Sequence, residues 1–391
     1  MTTQHRLPGA VTELHRRQQD LGMSWADGHL GAFRYIWLRD NCPCSDCRHS
    51  SGQRILDTAS IPRDISPKSI ALAEDGGVDI VWAYDSHASR FSTGWLRGHT
   101  YSDKERENQR RQPRLWNAEG LRSLPEVSYT MVSTSSASLR AWLTMVSDYG
   151  IAILRGVPCV SGRLTDVVEL FGYVRETNFG RYFDVRTMVD PNDIAYTSLA
   201  LSAHTDNPYR DPVPTLQLLH CLSSDDIGGD TTVVDGFCVA EALRVGEPGK
   251  FQLLTTVPVR FHYQDKDCYL EAESTLIQLS PQGQVVGVKF NNASGDPFCL
   301  DYDLMEPFYD AYQTFASMLE SPEFQVRFKL DPGDLYIVDN TRVLHGRTKF
   351  SSGGKRHLQG CYADRDALLS RLRVLSIDGE TPSYGEQGMA A

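Results

Sequence analysis

Apolar and polar positions alternate in short bursts over roughly the first quarter of the chain. In "VDIVWAY" the alternation has the period of two that puts every second side chain on one face of a strand, and the residues are β-branched or aromatic. The stretches "GMSWADGHLGAFRYIWLRD", "ILDTASIPRDI" and "DGGVDIVWAYDSHASRFSTGWL" read as short strands, with hairpin turn chemistry at "ADG" and "EDGG". They predict a small β-rich N-terminal domain over residues 1–100. A charged, proline-marked stretch, "SDKERENQRRQPRLWNAEGLRSLP", reads as a linker over 101–125, and a second domain takes up 126–391.

The second domain opens with a helical period. In "SASLRAWLTMVSDYG" apolar residues recur three and four apart, and Gly150 is the stop signal. A buried strand "IAILRGV" and a helix "GRLTDVVELFGYV" follow. From Ala195 onward the pattern is mostly strand: "TLQLLHCL", "DTTVVDGF", "TVPVRFHY", "TLIQLS", "VVGVKFNN", "DLYIVDN" and "LQGCYADRD". One helical interruption, "DLMEPFYDAYQTFASMLES", is expected among them. Many strands with a few flanking helices predict a mainly β protein with a double-sheet, jelly-roll core.

Length and composition agree with two domains. A chain of 391 residues exceeds the roughly 250–300 residues at which single cores stop growing. It is 41% hydrophobic and 23% charged, with no apolar run long enough to span a bilayer, so no membrane association is expected. The first residues, "MTTQHRLPGAVTELHRRQQ", lack the apolar core of a secretory signal, so a cytoplasmic protein is expected. A formal charge of -11 argues against nucleic acid as a partner. The basic run "DKERENQRRQPR" is interleaved with acids and reads as a solvated face.

The chemistry concentrates in "YTSLALSAHTDNPYRDPVPTLQLLHCL". His204 and Asp206 are two apart and share a face if the segment is extended, and His345 follows far downstream in "DPGDLYIVDNTRVLHGR". Two histidines and a carboxylate with open coordination positions form the facial triad of non-haem Fe(II) oxygenases. A lone His-x-Asp pair is more often a hydrogen-bonded loop feature. Two further residues change that weighting. Thr231 in "GGDTTVVDGF" and Arg356, eleven residues after His345 beyond the turn "KFSSGGK", are spaced to reach one anionic cosubstrate. A guanidinium fork suits the distal carboxylate of 2-oxoglutarate.

The ordered set His204-x-Asp206, Thr231, His345 and Arg356 resembles the Fe(II)/2-oxoglutarate dioxygenases of the taurine dioxygenase group. Within it the chain is most similar to the gamma-butyrobetaine dioxygenase family. The likeness runs through "WLRDNCPCSDC", "AYTS", "HTD", "LQLLHC", "GGDTTVVDGF", "FNNA", "DNTRVLHGR" and "GCYADRDALLSRLRVL". It implies a double-stranded β-helix (jelly-roll) catalytic domain and iron held by His204, Asp206 and His345. It further implies 2-oxoglutarate fixed by Arg356 and Thr231, O2 as cosubstrate and ascorbate as a candidate reductant. A homodimer is implied as well.

The resemblance also implies the substrate class, a small trimethylammonium compound. Such a cation cannot donate a hydrogen bond and is held by aromatic faces. The family's cage falls at Phe179, Phe183, Tyr196 and Tyr362, and its carboxylate grip at Asn291 or Asn292. Asp193 and Asn207 depart from the family pattern, and Arg181, Arg186 and Arg210 supply extra cationic capacity. These departures keep two substrates open, gamma-butyrobetaine and 2-(trimethylammonio)ethylphosphonate, with trimethyllysine third. Other classes on the same residue types are a zinc hydrolase, which needs no oxygen, and an iron-free scaffold.

Cys42, Cys44 and Cys47 crowd into "NCPCSDC", while the other six of nine cysteines are scattered. They sit too close for comfortable disulfide geometry and suit tetrahedral zinc, which needs a fourth ligand. Spacing favours His49, whereas the resemblance points to His87 in "YDSHASRF". A structural Zn(II) site in the N-terminal domain is the expectation.

Overall fold

The structure is a computed structural model that describes residues 10–100, 113–186, 200–224, 228–349 and 356–377. It divides into two compact units, the second beginning at Pro113.

The first unit holds two three-stranded antiparallel sheets. One joins Val11–Arg16, Asp20–Trp25 and Leu30–Arg34; the other joins Pro67–Leu72, Val78–Trp82 and Ala88–Phe91. Val78–Trp82 follows its sequence pattern, with Val78, Ile80 and Trp82 buried and the intervening residues half-exposed. Their side chains join Leu21, Met23, Phe33, Tyr35 and Leu38 in one apolar core. Two stretches expected to be extended form short helices instead. Tyr35–Asp40 buries Tyr35, Leu38 and Arg39, three and four apart, and Thr93–Gly98 is capped by the Ser92 side chain.

The second unit is built on two facing sheets. The larger runs in the order Phe183–Arg186, Arg356–Ala363, Leu216–Ser224, Leu335–Asp339, Ile151–Arg155 and Glu126–Ser128, with Val174–Arg175 paired to the Arg356 strand. The smaller runs Leu201–His204, Val343–Arg347, Thr231–Asp235 and Gln325–Phe328. Ile153, Leu219, Tyr336 and Leu358 from the larger sheet meet Val233 and Val343 from the smaller in a shared core. Outside the larger sheet, Ser136–Tyr149, Arg163–Glu169 and Arg365–Ile377 cover a second apolar layer. Outside the smaller, Gly236–Gly246, Pro248–Thr256 and Tyr302–Leu319 cover a third. The architecture is mainly β with flanking helices, consistent with a jelly roll.

The Ser136–Tyr149 helix ends where the sequence predicts, at Gly150, whose φ of 74° lies in the left-handed region open to glycine. The expectation of one helix after Ala195 is corrected: the described residues hold four α-helices there. Gly236–Gly246 follows directly from the strand read in "DTTVVDGF" because the Asp235 side chain accepts from Phe237 N and caps it. Pro248 then starts the next helix at its first turn. The end of the stretch read as linker packs into the second unit: Trp116 and Leu121 are buried, and Trp116 Nε1 donates to Tyr149 O at 2.7 Å. Among the described residues no helix is long and apolar enough to cross a membrane.

Candidate metal and substrate site

Strand register assembles the site. Leu201–His204 pairs antiparallel with Val343–Arg347 so that His204 and His345 are direct partners, their ring centroids 4.5 Å apart. Asp206 lies just past the end of the first strand. Asn340 fixes it there: its side-chain oxygen accepts from Asp206 N at 2.8 Å, and its amide donates to Asp206 O at 2.9 Å and to Pro214 O at 2.8 Å. Asp206 Oδ1 lies 3.4 Å from His204 Nε2 and 3.6 Å from His345 Nε2. One ligand atom from each of the three falls within 4.8 Å of the others.

The other carboxylate oxygen is engaged by the protein. Tyr362 Oη donates to Asp206 Oδ2 at 2.8 Å, and Gln217 Nε2 donates to the same atom. His204 Nδ1 faces the Ser202 carbonyl at 2.9 Å, which sets the tautomer that turns Nε2 toward Asp206 Oδ1 as the metal-facing nitrogen. Burial works to raise the Asp206 pKa, but the two histidines and the Tyr362 hydroxyl overcome it and hold the carboxyl at about 2. Burial lowers His345 to about 4 against the pull of Asp206. At neutral pH the pair is therefore a carboxylate and a neutral imidazole, the protonation states that metal ligation requires. Two imidazoles and one carboxylate oxygen gathered on one side fit Fe(II) with open positions.

Thr231 and Arg347 are cross-strand partners, each two residues beyond the Val233 and His345 pair and on the same face. Both are buried. Arg347 escaped the sequence reading although it directly follows "HG". Arg356, Leu358, Gly360 and Tyr362 alternate along one strand, so they share its inner face. The buried phenol of Tyr336 senses both ends of this row. Burial and the Asp206 charge raise its pKa, and the Arg356 charge opposes them. Arg356 and Asp206 thus both lie within electrostatic reach of Tyr336.

Aromatic rings run away from Tyr362. Phe179 and Phe183 are 6.0 Å apart between centroids, and Phe183 and Tyr362 are 5.3 Å apart. Tyr263 extends the row, 5.6 Å from Phe179, and Tyr209 stacks on Tyr263 at 5.1 Å. Neither tyrosine was singled out from sequence. Tyr263 is distant in the chain, but Tyr209, three residues after Asp206, was within view of the motif. Tyr196 and Asp193 lie outside the described residues.

The polar candidates divide. Asn291 Oδ1 accepts from Ala293 N and Ser294 N, and its amide donates to Thr205 O, so its carboxamide braces the backbone between His204 and Asp206. Asn292 is exposed and accepts from Tyr312 Oη at 3.1 Å. Arg181 is exposed and pairs with Glu169 at 3.0 Å, and Arg210 donates to Asn178. Arg186 is exposed at the end of its strand. Asn207 is buried in the left-handed region, φ 54°, with its Oδ1 accepting from Tyr209 Oη at 2.6 Å.

In the first unit Cys42, Cys44, Cys47 and His87 converge. His87 Nε2 lies 3.3, 3.5 and 3.5 Å from the three Sγ atoms. A regular tetrahedron with ordinary Zn–S and Zn–N bonds separates its S and N corners by about 3.6 Å. The cluster therefore fits zinc, and four protein ligands would make a site of the closed type. His49 turns aside to Ser51, 2.8 Å from its Oγ. Arg39, passed over in the sequence, is buried and donates to Cys47 Sγ at 3.1 Å and to Asp85 Oδ2 at 3.0 Å. Asp85 in turn accepts from His87 N.

Comparison with known proteins adds names to this geometry. The family model described as "Taurine catabolism dioxygenase TauD, TfdA family" matches residues 87–362. A second, "Gamma-butyrobetaine hydroxylase-like, N-terminal", matches residues 12–97. A gamma-butyrobetaine dioxygenase of Pseudomonas sp. is 40% identical over 360 residues, covering 91% of this chain and 93% of the relative. The human gamma-butyrobetaine dioxygenase is 34% identical, covering 90% and 93%. The human mitochondrial trimethyllysine dioxygenase is also 34% identical, covering 95% and 91%.

Proposed function

Because the chain belongs to the TauD, TfdA dioxygenase family and is a 2-oxoglutarate-dependent dioxygenase, we propose that it hydroxylates a small trimethylammonium zwitterion. One C–H bond of the substrate becomes C–OH, while 2-oxoglutarate and O2 are converted to succinate and carbon dioxide. The carrying observation is the aromatic row Phe179, Phe183 and Tyr362, whose last hydroxyl is bonded to Asp206. A trimethylammonium head on those ring faces sits one side chain away from the metal ligands, so its neighbouring carbons are the ones presented for oxidation.

Fe(II) with 2-oxoglutarate supplies the oxidising chemistry. The chain supplies everything around it. His204, Asp206 and His345 hold the metal, with the Ser202 carbonyl and Asn340 orienting two of them. Arg356 and Thr231 hold the distal carboxylate of 2-oxoglutarate, the guanidinium as a two-pronged donor. Phe179, Phe183, Tyr196 and Tyr362 hold the cation and keep water from it. Asn291 and Asn292 mark the region of the anionic end, where Asn292 keeps its amide for a ligand. Cys42, Cys44, Cys47 and His87 hold a structural Zn(II).

Gamma-butyrobetaine is supported as substrate by relatives that act on it, and 2-(trimethylammonio)ethylphosphonate offers the same cation with a different anion. Trimethyllysine is the third arm. The test is incubation of iron-loaded enzyme with 2-oxoglutarate and each compound, followed by a search for a product heavier by one oxygen. Turnover of taurine at a comparable rate would overturn the substrate class. Product without oxygen uptake would mark a hydrolase. In His204→Ala, iron-dependent consumption of 2-oxoglutarate is expected to vanish.

A further inference from the structure

Tyr362 stands at the junction of the aromatic row and the metal ligands. Its ring lies 5.3 Å from that of Phe183, and its hydroxyl donates to Asp206 Oδ2 at 2.8 Å. Gln217, its direct cross-strand partner, donates to the same oxygen. Gln217 is 3% and Tyr362 5% exposed, so both bonds form away from water, where a hydrogen bond to a carboxylate is strong. With Oδ2 taken by two donors, Oδ1 is the oxygen left facing both histidines. Asp206 would thereby offer a metal one oxygen, Oδ1.

Resting on the reading that the aromatic row seats a trimethylammonium group, we propose that Tyr362 is a positioning residue that couples occupancy of that row to Asp206. A cation against the ring face draws electron density out of the phenol, so its O–H becomes a stronger donor. The strengthened bond to Oδ2 then draws charge away from Oδ1. Asp206 donates less to its metal when the row is filled than when it is empty. Gln217 supplies the constant part of the restraint, because its amide touches no ring of the row. Tyr362 supplies the part that depends on substrate. The device makes the metal's electronic state report whether the substrate is in place.

The test uses Tyr362→Phe, which keeps the ring and removes the hydroxyl, and Gln217→Leu, which removes the other donor. The visible charge-transfer absorption of the Fe(II)–2-oxoglutarate complex is followed without oxygen as gamma-butyrobetaine or 2-(trimethylammonio)ethylphosphonate is added, with calorimetric binding of the same compound in parallel. Wild type should bind and shift the band. Tyr362→Phe should bind within about threefold of wild type, because a phenyl face replaces a phenol face, yet shift the band clearly less than wild type does. In air it should consume 2-oxoglutarate without matching product. Gln217→Leu should lose Fe(II) affinity by about tenfold while keeping the shift. The coupling is overturned if Tyr362→Phe shifts the band as wild type does, if it fails to bind, if Gln217→Leu loses the shift, or if wild type binds without a shift. Wild type that binds neither compound would instead sink the substrate reading.

Discussion

Phe183 and Gly360 are register partners on adjacent strands, and the phenyl ring fills the space where a side chain at 360 would stand. A Cβ on Gly360 would lie 2.5 Å from Phe183 Cζ, inside any tolerable contact. The missing side chain lets the ring lie across the strand and reach Tyr362. Gly360→Ala should push the ring off this seat and raise KM for the trimethylammonium substrate by about tenfold, the loss of one cation-π face. Fe(II) binding should be unchanged. Steady-state kinetics beside an iron titration checks this, and an unchanged KM would detach Phe183 from substrate binding.

Arg356 shares the inner face of its strand with Tyr362, six residues away. Arg356→Lys keeps the charge but loses the planar two-pronged fork, so KM for 2-oxoglutarate should rise by roughly 10- to 100-fold. The KM for the trimethylammonium substrate should stay near wild type. Thr231→Val should act in the same direction but less, since one neutral hydroxyl is removed. A rise in the substrate KM instead, measured at saturating 2-oxoglutarate, would assign Arg356 to the trimethylammonium substrate.

The ligand types were legible in the chain because the chemistry packs them into short motifs, "HTD" and "LHGR". Their assembly was not. His204 meets His345 through the register of two strands, and no hydrophobic period states which residues pair across a sheet. The clamp on Asp206 by Gln217, Tyr362 and Asn340 draws on three separate strands or turns, so each looks ordinary in its own segment. Gly236–Gly246 escaped as a helix because it starts without a gap after a buried strand. There "TTVVDGFCVA" changes period across the buried Asp235-Gly236 step, with buried residues on both sides of it. Strands such as Val78–Trp82, with one wet face, were legible because alternation marks them.

Arg39 bridges the cysteine cluster and Asp85, which itself accepts from His87 N. It therefore braces two of the four clustered residues, Cys47 and His87, from behind. Arg39→Met should preserve much of the packing yet weaken zinc retention by about 10- to 100-fold, as loss of an outer partner does. His87→Ala should abolish zinc binding and His49→Ala should leave it intact. Metal content after dialysis against a chelator separates the three variants. Zinc lost from His49→Ala and kept in His87→Ala would reverse the ligand assignment.

Zinc binding at this cluster should depend steeply on pH. Burial pushes the Cys42 thiol up from 9.0 to about 12, and burial raises Cys47 as well. At neutral pH without metal these thiols are protonated, so zinc must displace their protons. Each proton displaced makes affinity fall by about tenfold per pH unit of acidification. The metal-free protein carries the opposite dependence. A thiol whose folded pKa exceeds its unfolded value favours the folded state below that unfolded value, and the advantage is lost as pH climbs from about 9 toward 12. Zinc-loaded protein should not lose stability over that range, because the metal already holds the thiolates. Chelator competition from pH 6 to 8 tests the first expectation by the proton stoichiometry it returns, roughly two or more. Thermal unfolding of loaded and stripped protein up the alkaline range tests the second. Parallel decline of both forms would show that the four residues do not share a metal.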